Sequence, residues 1–154
     1  MGQLKKFNRT LGRRQTIHKK SPALLTLTNA MSKPLRPRLI WDGDCEFCRI
    51  WIEIWHKLTG DEIEYTPYQH AAADYPHIPT SEFQAAVHLI SVDGTHTTGA
   101  KAVFGSLSSR RSLRWMLALY NRLPIFRVFS EAAYQNVASH RKFYLRITQL
   151  VLRQ

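Results

Sequence analysis

The sequence predicts an α/β domain in which a strand–helix–strand unit is followed by a β-hairpin and a helix, with further helices at the C-terminal end. Three observations lead to this prediction. A short apolar segment at residues 38–41 stands directly before a run of apolar side chains at helical spacing. An Asp-Gly pair at residues 93–94 lies between two segments rich in strand formers. Residues 111–154 have helical periodicity throughout.

The first two elements have the clearest signals. Residues 38–41, with the sequence RLIW, are rich in strand formers and follow a proline, which predicts the first strand. Asp44 is predicted to be the N-cap of the next helix, and Gly60 is placed to end that helix. The helix has one apolar stripe, formed by Phe47, Ile50, Trp51, Ile54, Trp55 and Leu58.

The later elements complete the order. Residues 62–68 alternate in polarity and predict a second strand, whereas the proline-interrupted stretch 69–85 allows only a short helix or a loop. Residues 85–92 and 95–98 are predicted to be two strands joined at the Asp-Gly turn, and residues 99–107 a short helix. A parallel strand pair followed by an antiparallel pair, with helices packed on the sheet, is the thioredoxin-like plan.

The chain of 154 residues divides by composition into three parts. Residues 1–36 are basic, lack a hydrophobic period and are expected to be a disordered extension of a cytoplasmic protein. An organellar transit peptide is the alternative, because such peptides are rich in arginine and poor in acids. Residues 37–110 are expected to form the core. Residues 111–154 are expected to form two or three helices packed on it, one of them beginning at Pro124.

The formal charge of +11 is concentrated at the two ends. Residues 1–41 have ten basic and no acidic residues, residues 42–110 four basic and ten acidic, and residues 111–154 eight basic and one acidic, Glu131. Because the middle is acidic, the composition argues against nucleic-acid binding by the domain. The basic C-terminal helices are interpreted as packing on the core with a solvated face; peripheral contact with an anionic membrane is the alternative.

The only two cysteines, Cys45 and Cys48, have CxxC spacing at the start of the predicted helix. Unpaired backbone N–H groups and the helix dipole stabilise a thiolate there and lower the pKa of the thiol. Cys45 is therefore expected to attack a substrate disulfide, and Cys48 to resolve the mixed disulfide. Arg49 is expected to favour the thiolate, whereas Asp42 and Asp44 are expected to oppose it.

A zinc site and two inert cysteines are the other interpretations of this pair. Zinc needs two further ligands, which histidines would have to supply. No two of the seven histidines have zinc-finger spacing; His70 and His77, for example, have six residues between them. His88 is interpreted as a core or cross-strand residue. The strand-to-helix context therefore favours a redox pair, with no metal and no cofactor.

The motif IWDGDCEFCR resembles the opening motif of the DCC family of thiol-disulfide oxidoreductases, with Asp42 (or Asp44) and both cysteines at the matching positions. The segment DGTHTTGAKAVFGSL is similar to the second signature of that family, in which a hairpin leads into Gly99 and Ala102. The resemblance runs from about residue 37 to residue 145 and implies a thioredoxin-like fold and dithiol chemistry. The expected substrate is a disulfide-containing protein or a small thiol.

The sequence departs from thioredoxin-like enzymes just before the third strand. Such enzymes usually have a cis-proline there, facing the two cysteines, but this chain has Gln84 and Ala85. Among the residues near the motif, Trp41 is expected to contact the substrate because it ends the first strand. Trp51 and Trp55 could also wall a substrate groove, but they are interpreted as core residues.

A second candidate contact lies at the start of the last core helix. Thr98 and Gly99 are candidates for binding an anion or the substrate backbone there, although a plain helix start is the preferred interpretation.

Two functions remain as hypotheses. The first is a monomeric protein-disulfide reductase, or thiol-disulfide oxidoreductase, with Cys45 as the nucleophile and Cys48 as the resolving thiol. The second is a thioredoxin-like binding module with inefficient redox turnover, which docks a protein partner or a membrane surface through its basic C-terminal helices. The intact CxxC pair favours the enzyme, and the missing proline favours the binding module.

Overall fold

The strands form one mixed sheet. The computed structural model describes residues 33–152, and its strands have the spatial order β2-β1-β3-β4. They are β1 (Arg38–Trp41), β2 (Glu64–Pro67), β3 (His88–Ile90) and β4 (His96–Thr98). β1 pairs in parallel with β2 and antiparallel with β3, and β3 pairs antiparallel with β4. The predicted thioredoxin-like α/β fold is therefore confirmed. Of the predicted extension 1–36, only residues 33–36 are described.

The helices lie between and after the strands. In the described range they are α1 (Glu46–Thr59), α2 (Tyr68–Ala71), α3 (Thr80–Ala85), α4 (Gly99–Leu107), α5 (Arg114–Arg122), α6 (Pro124–Ser139) and α7 (Arg141–Leu152). Single 3-10 turns occur at Gly60–Glu62, Ala72–Asp74 and Arg111–Leu113. The proline that begins α6 lies in its first turn, where the missing N–H costs nothing.

The start of α1 differs from the prediction. Asp44 is not the N-cap; Cys45 is, and its Sγ accepts a hydrogen bond from the Cys48 N–H. A sulfur atom thus takes the position that an oxygen of Ser, Thr or Asp usually has. The end agrees with the prediction, because Gly60 adopts a φ of +60° and its N–H donates to the His56 carbonyl.

The sheet separates two apolar clusters, because successive side chains of a strand point to opposite faces. On one face, Leu39 and Trp41 of β1 meet Ile52 of α1 and Ala102 of α4. On the other face, Ile40 meets residues of the connector between β2 and β3, namely Tyr68, Ala71, Tyr75, Ile78 and Phe83. The first face is the one that places the cysteine-bearing end of α1 against the core, since Cys48 and Trp55 pack against that cluster.

The third strand is shorter than predicted. The prediction covered residues 85–92, but α3 continues through Ala85 and the strand comprises only His88–Ile90. A short apolar run suits the end of a buried helix as well as a strand, so the pattern alone did not separate the two. The turn after β3 is the expected hairpin, with Gly94 at a φ of +90° and the Ser91 N–H bonded to the Thr95 carbonyl at 2.9 Å.

The three C-terminal helices pack on the core by one side only. α5 and α6 contact α4, whereas α7 contacts α1. Tyr120 is the one buried residue in the described parts of these helices. Their outer faces expose large apolar side chains: Trp115, Ile125, Val128, Phe129, Phe143, Ile147, Leu150, Val151 and Leu152. Within residues 33–152, no helix has the length and apolar character needed to cross a membrane.

Candidate active site

Cys45 and Cys48 form a pair at disulfide distance at the beginning of α1. Their Cα atoms are 5.2 Å apart. Cys45 has an extended backbone, with φ −88° and ψ 106°, so its side chain turns back over the first helical turn. The Cys48 N–H then lies 3.2 Å from the Cys45 Sγ. The first sulfur is thus bonded by a helix N-terminal N–H group, which is the environment that stabilises a thiolate once the pair is reduced.

A tight turn between β1 and α1 presents this pair. The Asp42 carbonyl accepts from the Cys45 N–H at 3.2 Å, and the Asp42 side chain accepts from the Asp44 N–H at 3.2 Å. Arg49 donates to the Gly43 carbonyl at 3.3 Å, so its guanidinium lies on the turn. The Asp44 side chain is exposed. Asp42 and Arg49 therefore hold the turn, while the effects of Asp42, Asp44 and Arg49 on the thiolate stay predictions.

Gly43 makes the close approach of this turn possible. A Cβ atom built at Gly43 would lie 2.8 Å from the Gln69 Oε1 and 3.0 Å from the Pro67 Cβ. The Gly43 N–H donates to that same Gln69 oxygen at 3.2 Å. A side chain here would displace the Gln69 side chain, break its bond to the Gly43 N–H and press against Pro67, which favours a glycine in the middle of the Asp-Gly-Asp motif.

Arg141 joins the turn to the segment before β3, a role that no sequence pattern indicated. Its Nη1 donates to the Gln84 carbonyl at 2.8 Å and its Nη2 to the Ala85 carbonyl at 2.6 Å. The Nη1 is also 3.7 Å from the Asp42 Oδ2, and both side chains are largely buried, with 20% and 16% exposure. A guanidinium from the last helix therefore anchors Gln84 and Ala85, the positions where a proline was expected; because β3 begins at His88, these residues belong to α3 and do not directly precede the strand.

The backbone that follows Gln84 and Ala85 is also hydrogen-bonded within the protein. The Ala86 N–H donates to the Glu82 carbonyl at 3.0 Å. The Val87 N–H donates to the Tyr134 hydroxyl at 2.9 Å, and the Val87 carbonyl accepts from the Gly99 N–H at 3.2 Å. Burial raises the pKa of Tyr134, which keeps its hydroxyl neutral and hydrogen-bonded.

A cavity of about 450 Å³ opens beside Cys48. It is lined by Cys48, Trp51, Ile52 and Trp55 together with Asp42, Phe47, Phe83, Ala86, Val87, Val103, Ala133, Tyr134, Val137, Ala138, Arg141, Tyr144 and Thr148. Most of these residues are apolar, and most come from α1, α6 and α7 and from the segment before β3, with Val103 from α4 and Asp42 from the turn before α1. Cys45 is not one of the lining residues, so among the two sulfur atoms the cavity adjoins that of Cys48.

The tryptophans are arranged differently from the sequence-based interpretation. Trp41 is 8% exposed and belongs to the core cluster, whereas Trp51 and Trp55 are half-buried and line the cavity. Trp51 and Trp55 had been assigned to the core because their stripe is typical of a packed helix face. That face does pack, but α7 leaves a space over part of it. A substrate contact of Trp41 stays a prediction.

The N-terminus of α4 is occupied by the protein itself. The Glu131 carboxylate accepts from the Ala100 and Lys101 N–H groups, each at 3.3 Å, and from the Tyr120 hydroxyl at 2.6 Å. Burial, followed by the bond and charge of Glu131, raises the pKa of Tyr120 to about 12. The anion site predicted at Thr98 and Gly99 therefore already holds a carboxylate, and neither residue lines the cavity beside Cys48.

Gly99 leaves room for this carboxylate beside the start of α4. The residue has a φ of +65°, and an added Cβ would lie 2.8 Å from the Glu131 Oε2. Ala102, three residues later, is fully buried in the core cluster. The Gly-x-x-Ala pattern thus serves the packing of α4 against the sheet and against α6.

The histidines pair with each other. Buried His88 lies 2.8 Å from His96 between Nδ1 and Nε2, and its Nε2 lies 3.0 Å from the Glu82 carbonyl. Burial lowers the pKa of both rings. His88 is a core residue, as interpreted from the sequence. The described residues contain no group of three or more His, Cys, Asp or Glu side chains placed to bind a metal ion.

Comparison with known proteins points to the same chemistry as the cysteine pair. The family model described as DCC1-like thiol-disulfide oxidoreductase matches residues 39–146. The matched range includes the cysteine turn, the hairpin, all of α6 and the part of α7 that contains Arg141. Neither the curated proteins nor the solved structures include a significant match to this chain.

Proposed function

Since the chain belongs to the DCC1-like thiol-disulfide oxidoreductase family, we propose that it reduces or exchanges disulfides of proteins or small thiols through Cys45 and Cys48. The observation that supports this proposal most directly is the pairing of the two sulfurs at disulfide distance at a helix N-terminus. A pair in this position cycles between a dithiol and a disulfide without a cofactor.

In the proposed reaction, the Cys45 thiolate attacks one sulfur of the substrate disulfide. The substrate S–S bond breaks, a mixed disulfide forms, and the first substrate thiolate leaves and takes up a proton from water. The Cys48 thiolate then attacks the Cys45 sulfur and releases the second substrate thiolate. The substrate has gained two electrons, and the protein ends as the Cys45–Cys48 disulfide. A dithiol reductant returns the pair to the reduced form.

The division of roles follows from the surroundings of the two residues. The Cys45 sulfur is the N-cap acceptor, whereas Cys48 packs against the apolar core cluster. Hydrogen bonds and the helix dipole favour a thiolate at the first position, and apolar surroundings disfavour it at the second. Cys45 is therefore the proposed nucleophile, and limiting iodoacetamide is expected to alkylate it first.

Reduction of insulin by dithiothreitol tests the proposal. The wild-type protein is expected to accelerate the reaction, and Cys45→Ser is expected to remove the acceleration. Cys48→Ser is expected to accumulate a mixed disulfide with the substrate, which is detected by intact mass. A wild-type rate equal to that of Cys45→Ser would disprove the enzyme hypothesis. The reduction potential of the Cys45/Cys48 pair then indicates the direction of electron flow. A value of about −270 mV indicates a reductant, and a value of about −120 mV indicates an oxidant.

A second function has a separate observation in its favour. The outer face of α7 exposes Phe143, Ile147 and Leu150 next to basic Lys142 and Arg146. An amphipathic basic helix of this kind binds anionic membrane surfaces. Peripheral membrane docking through the C-terminal helices is therefore the alternative, and co-sedimentation with anionic but not with neutral vesicles tests it. Light scattering tests the accompanying proposal that the protein is a monomer.

A further inference from the structure

We propose that the cavity beside Cys48 receives a large apolar side chain of a disulfide-bearing peptide, next to the cysteine that the protein attacks. The peptide is thereby recognised through a buried side chain and not through pairing of its backbone. This inference rests on the proposed function and names the class of substrate. Two observations carry the inference. The backbone near the cysteines is already hydrogen-bonded within the protein, and an apolar cavity opens beside Cys48.

The backbone before β3 has few groups left for a peptide. Extended peptides usually bind by adding main-chain hydrogen bonds to a free strand edge. Here the Gln84 and Ala85 carbonyls are bound by Arg141, and the Val87 N–H is bound by Tyr134. The Val87 carbonyl already pairs with the Gly99 N–H. A peptide in strand pairing with this segment would have to break bonds that are formed within the protein.

The apolar cavity offers the other route. Its volume of about 450 Å³ falls in the range of pockets that bind ligands, about 300–1,000 Å³. Trp51, Trp55 and Val137 are among its walls. Burial of an aromatic or large aliphatic side chain against such walls removes apolar surface from water on both partners. The cavity therefore supplies the binding free energy that backbone pairing does not.

The cavity lies within reach of the reacting sulfur. Cys45 and Cys48 are at bonding distance, and Cys48 lines the cavity. A substrate sulfur bonded to Cys45 is therefore close to the cavity opening. Consecutive Cα atoms of a peptide are about 3.8 Å apart, so a neighbour of the substrate cysteine can place its side chain inside.

The charges at the cavity select against a charged side chain. Asp42 and Arg141 both line it and form an ion pair at 3.7 Å. The two charges compensate each other, so neither is left to attract an ion from the substrate. A buried charge without a partner is costly. The expected side chain is therefore Phe, Trp, Leu or Met, and not Lys or Glu.

Two disulfide-linked peptides test this inference. They are identical except that the residue after the cysteine is Phe in one and Gly in the other. With dithiothreitol as the reductant, the Phe peptide is expected to have a kcat/KM at least about tenfold higher. Equal values for the two peptides would overturn the inference while leaving the oxidoreductase function in place.

A matched pair of substitutions on α6 locates the effect. Ala133 and Ala132 are both exposed neighbours, but only Ala133 lines the cavity. Ala133→Trp is expected to fill the cavity and lower the Phe/Gly ratio toward one, whereas Ala132→Trp is expected to keep the wild-type ratio. Thr148→Trp fills the cavity from α7 and is expected to repeat the effect of Ala133→Trp. An unchanged ratio in both cavity variants would overturn the proposal.

Binding without chemistry separates this inference from the proposed function. Single-chain peptides with Ser in place of the cysteine cannot react, and Trp51 and Trp55 report on the cavity by their fluorescence. The Phe peptide is expected to bind at least about tenfold more tightly than the Gly peptide, even if insulin reduction fails. Quenching by octanoate without any by the Phe peptide would overturn the inference and identify the occupant as an acyl chain.

Discussion

The two sides of the candidate active site are built in different ways. The segment 38–59 holds both cysteines by contacts between near neighbours, such as the bond from the Cys45 N–H to the Asp42 carbonyl. The C-terminal helices reach the same place by contacts over long separations. Arg141 lies 57 residues from Gln84 and 56 from Ala85 in the chain. The reactive pair thus belongs to a local motif, whereas the anchoring of its surroundings depends on helices that follow the core.

Arg141→Ala should produce the largest effect on this arrangement. The Gln84 and Ala85 carbonyls lose their donor, and the largely buried Asp42 loses its opposite charge. We expect the free energy of unfolding to fall by about 2 kcal/mol, because the largely buried Asp42 retains the desolvation cost of its charge, whereas the Gln84 and Ala85 carbonyls belong to exposed residues and can bond to water. Urea denaturation at neutral pH measures the change.

Arg146→Ala is the matched control for that substitution, since Arg146 is an exposed arginine on the same helix. Its expected effect is within about 0.5 kcal/mol. Arg141→Lys is expected to recover only part of the loss, because an ammonium group does not have the planar fork that bonds both carbonyls. If Arg141→Ala and Arg146→Ala were equally stable, the C-terminal helices would not anchor the site.

The next largest effect concerns the contact of α6 with α4. Glu131→Gln removes the charge from the N-terminus of α4 and weakens the bond to the Tyr120 hydroxyl. We expect the free energy of unfolding to fall by about 1–2 kcal/mol. Tyr120→Phe removes one of these bonds and should cost about 1 kcal/mol. The double substitution should cost less than the sum of the two single substitutions, because the two residues share one hydrogen bond. If the two losses of stability were additive, the Tyr120–Glu131 bond would not stabilise the protein.

Sequence patterns correctly predicted the strands and helices whose start and end are marked by nearby residues. The strand at residues 38–41 and the helix at residues 99–107 occur at the predicted residues, because turn residues bound each of them. Glu131 is the one acid of the C-terminal part, but its backbone partners on α4 lie about thirty residues away and Tyr120 lies 11 residues away, and no periodicity reveals them. The N-cap was assigned to Asp44 because a sulfur atom is an uncommon capping acceptor.

The cavity was beyond sequence-based prediction for a further physical reason. Its walls come from α1, α6 and α7, and their spacing is set by how the last helices settle on the core. A helical apolar stripe looks the same whether its partner helix touches it or leaves a gap. The stripe therefore favours the core for Trp51 and Trp55; Trp55 does pack against the core cluster, and both residues also line the cavity. The role of Arg141 was missed because a basic residue on a surface helix is usually solvated.

A smaller effect is expected from pH, and it belongs to the core and not to the C-terminal helices. Because a carbonyl only accepts, the His88 Nε2 donates to the Glu82 carbonyl, and the His88 Nδ1 accepts from His96. Burial lowers the pKa of both rings below the unfolded value of about 6.5. Below a pH of about 6.5 the unfolded chain therefore binds more protons than the folded protein. The contribution of the neutral histidine pair to the free energy of unfolding is fully present above this pH and is lost as the pH falls below it.

Urea denaturation at about pH 7 and about pH 5 measures this loss, over a range in which carboxylates with ordinary pKa values remain ionised. His96→Gln can still donate to His88 but does not titrate. The variant is therefore expected to lose less stability between the two pH values than the wild type. An equal loss in both proteins would assign the pH dependence to other groups.

The smallest expected effect on stability distinguishes the two faces of α6. Phe129 is 68% exposed, whereas Phe126 on the same helix packs its ring 5.8 Å from that of Phe104. Phe129→Ser should change the free energy of unfolding by no more than about 0.5 kcal/mol, and Phe126→Ser should cost clearly more.

If the outer face docks on anionic membranes, Phe129→Ser should also reduce co-sedimentation with anionic vesicles while insulin reduction continues at the wild-type rate. Binding that is unchanged by Phe129→Ser and by Leu150→Ser would leave the C-terminal helices with one role, the anchoring of the cysteine site from their inner side.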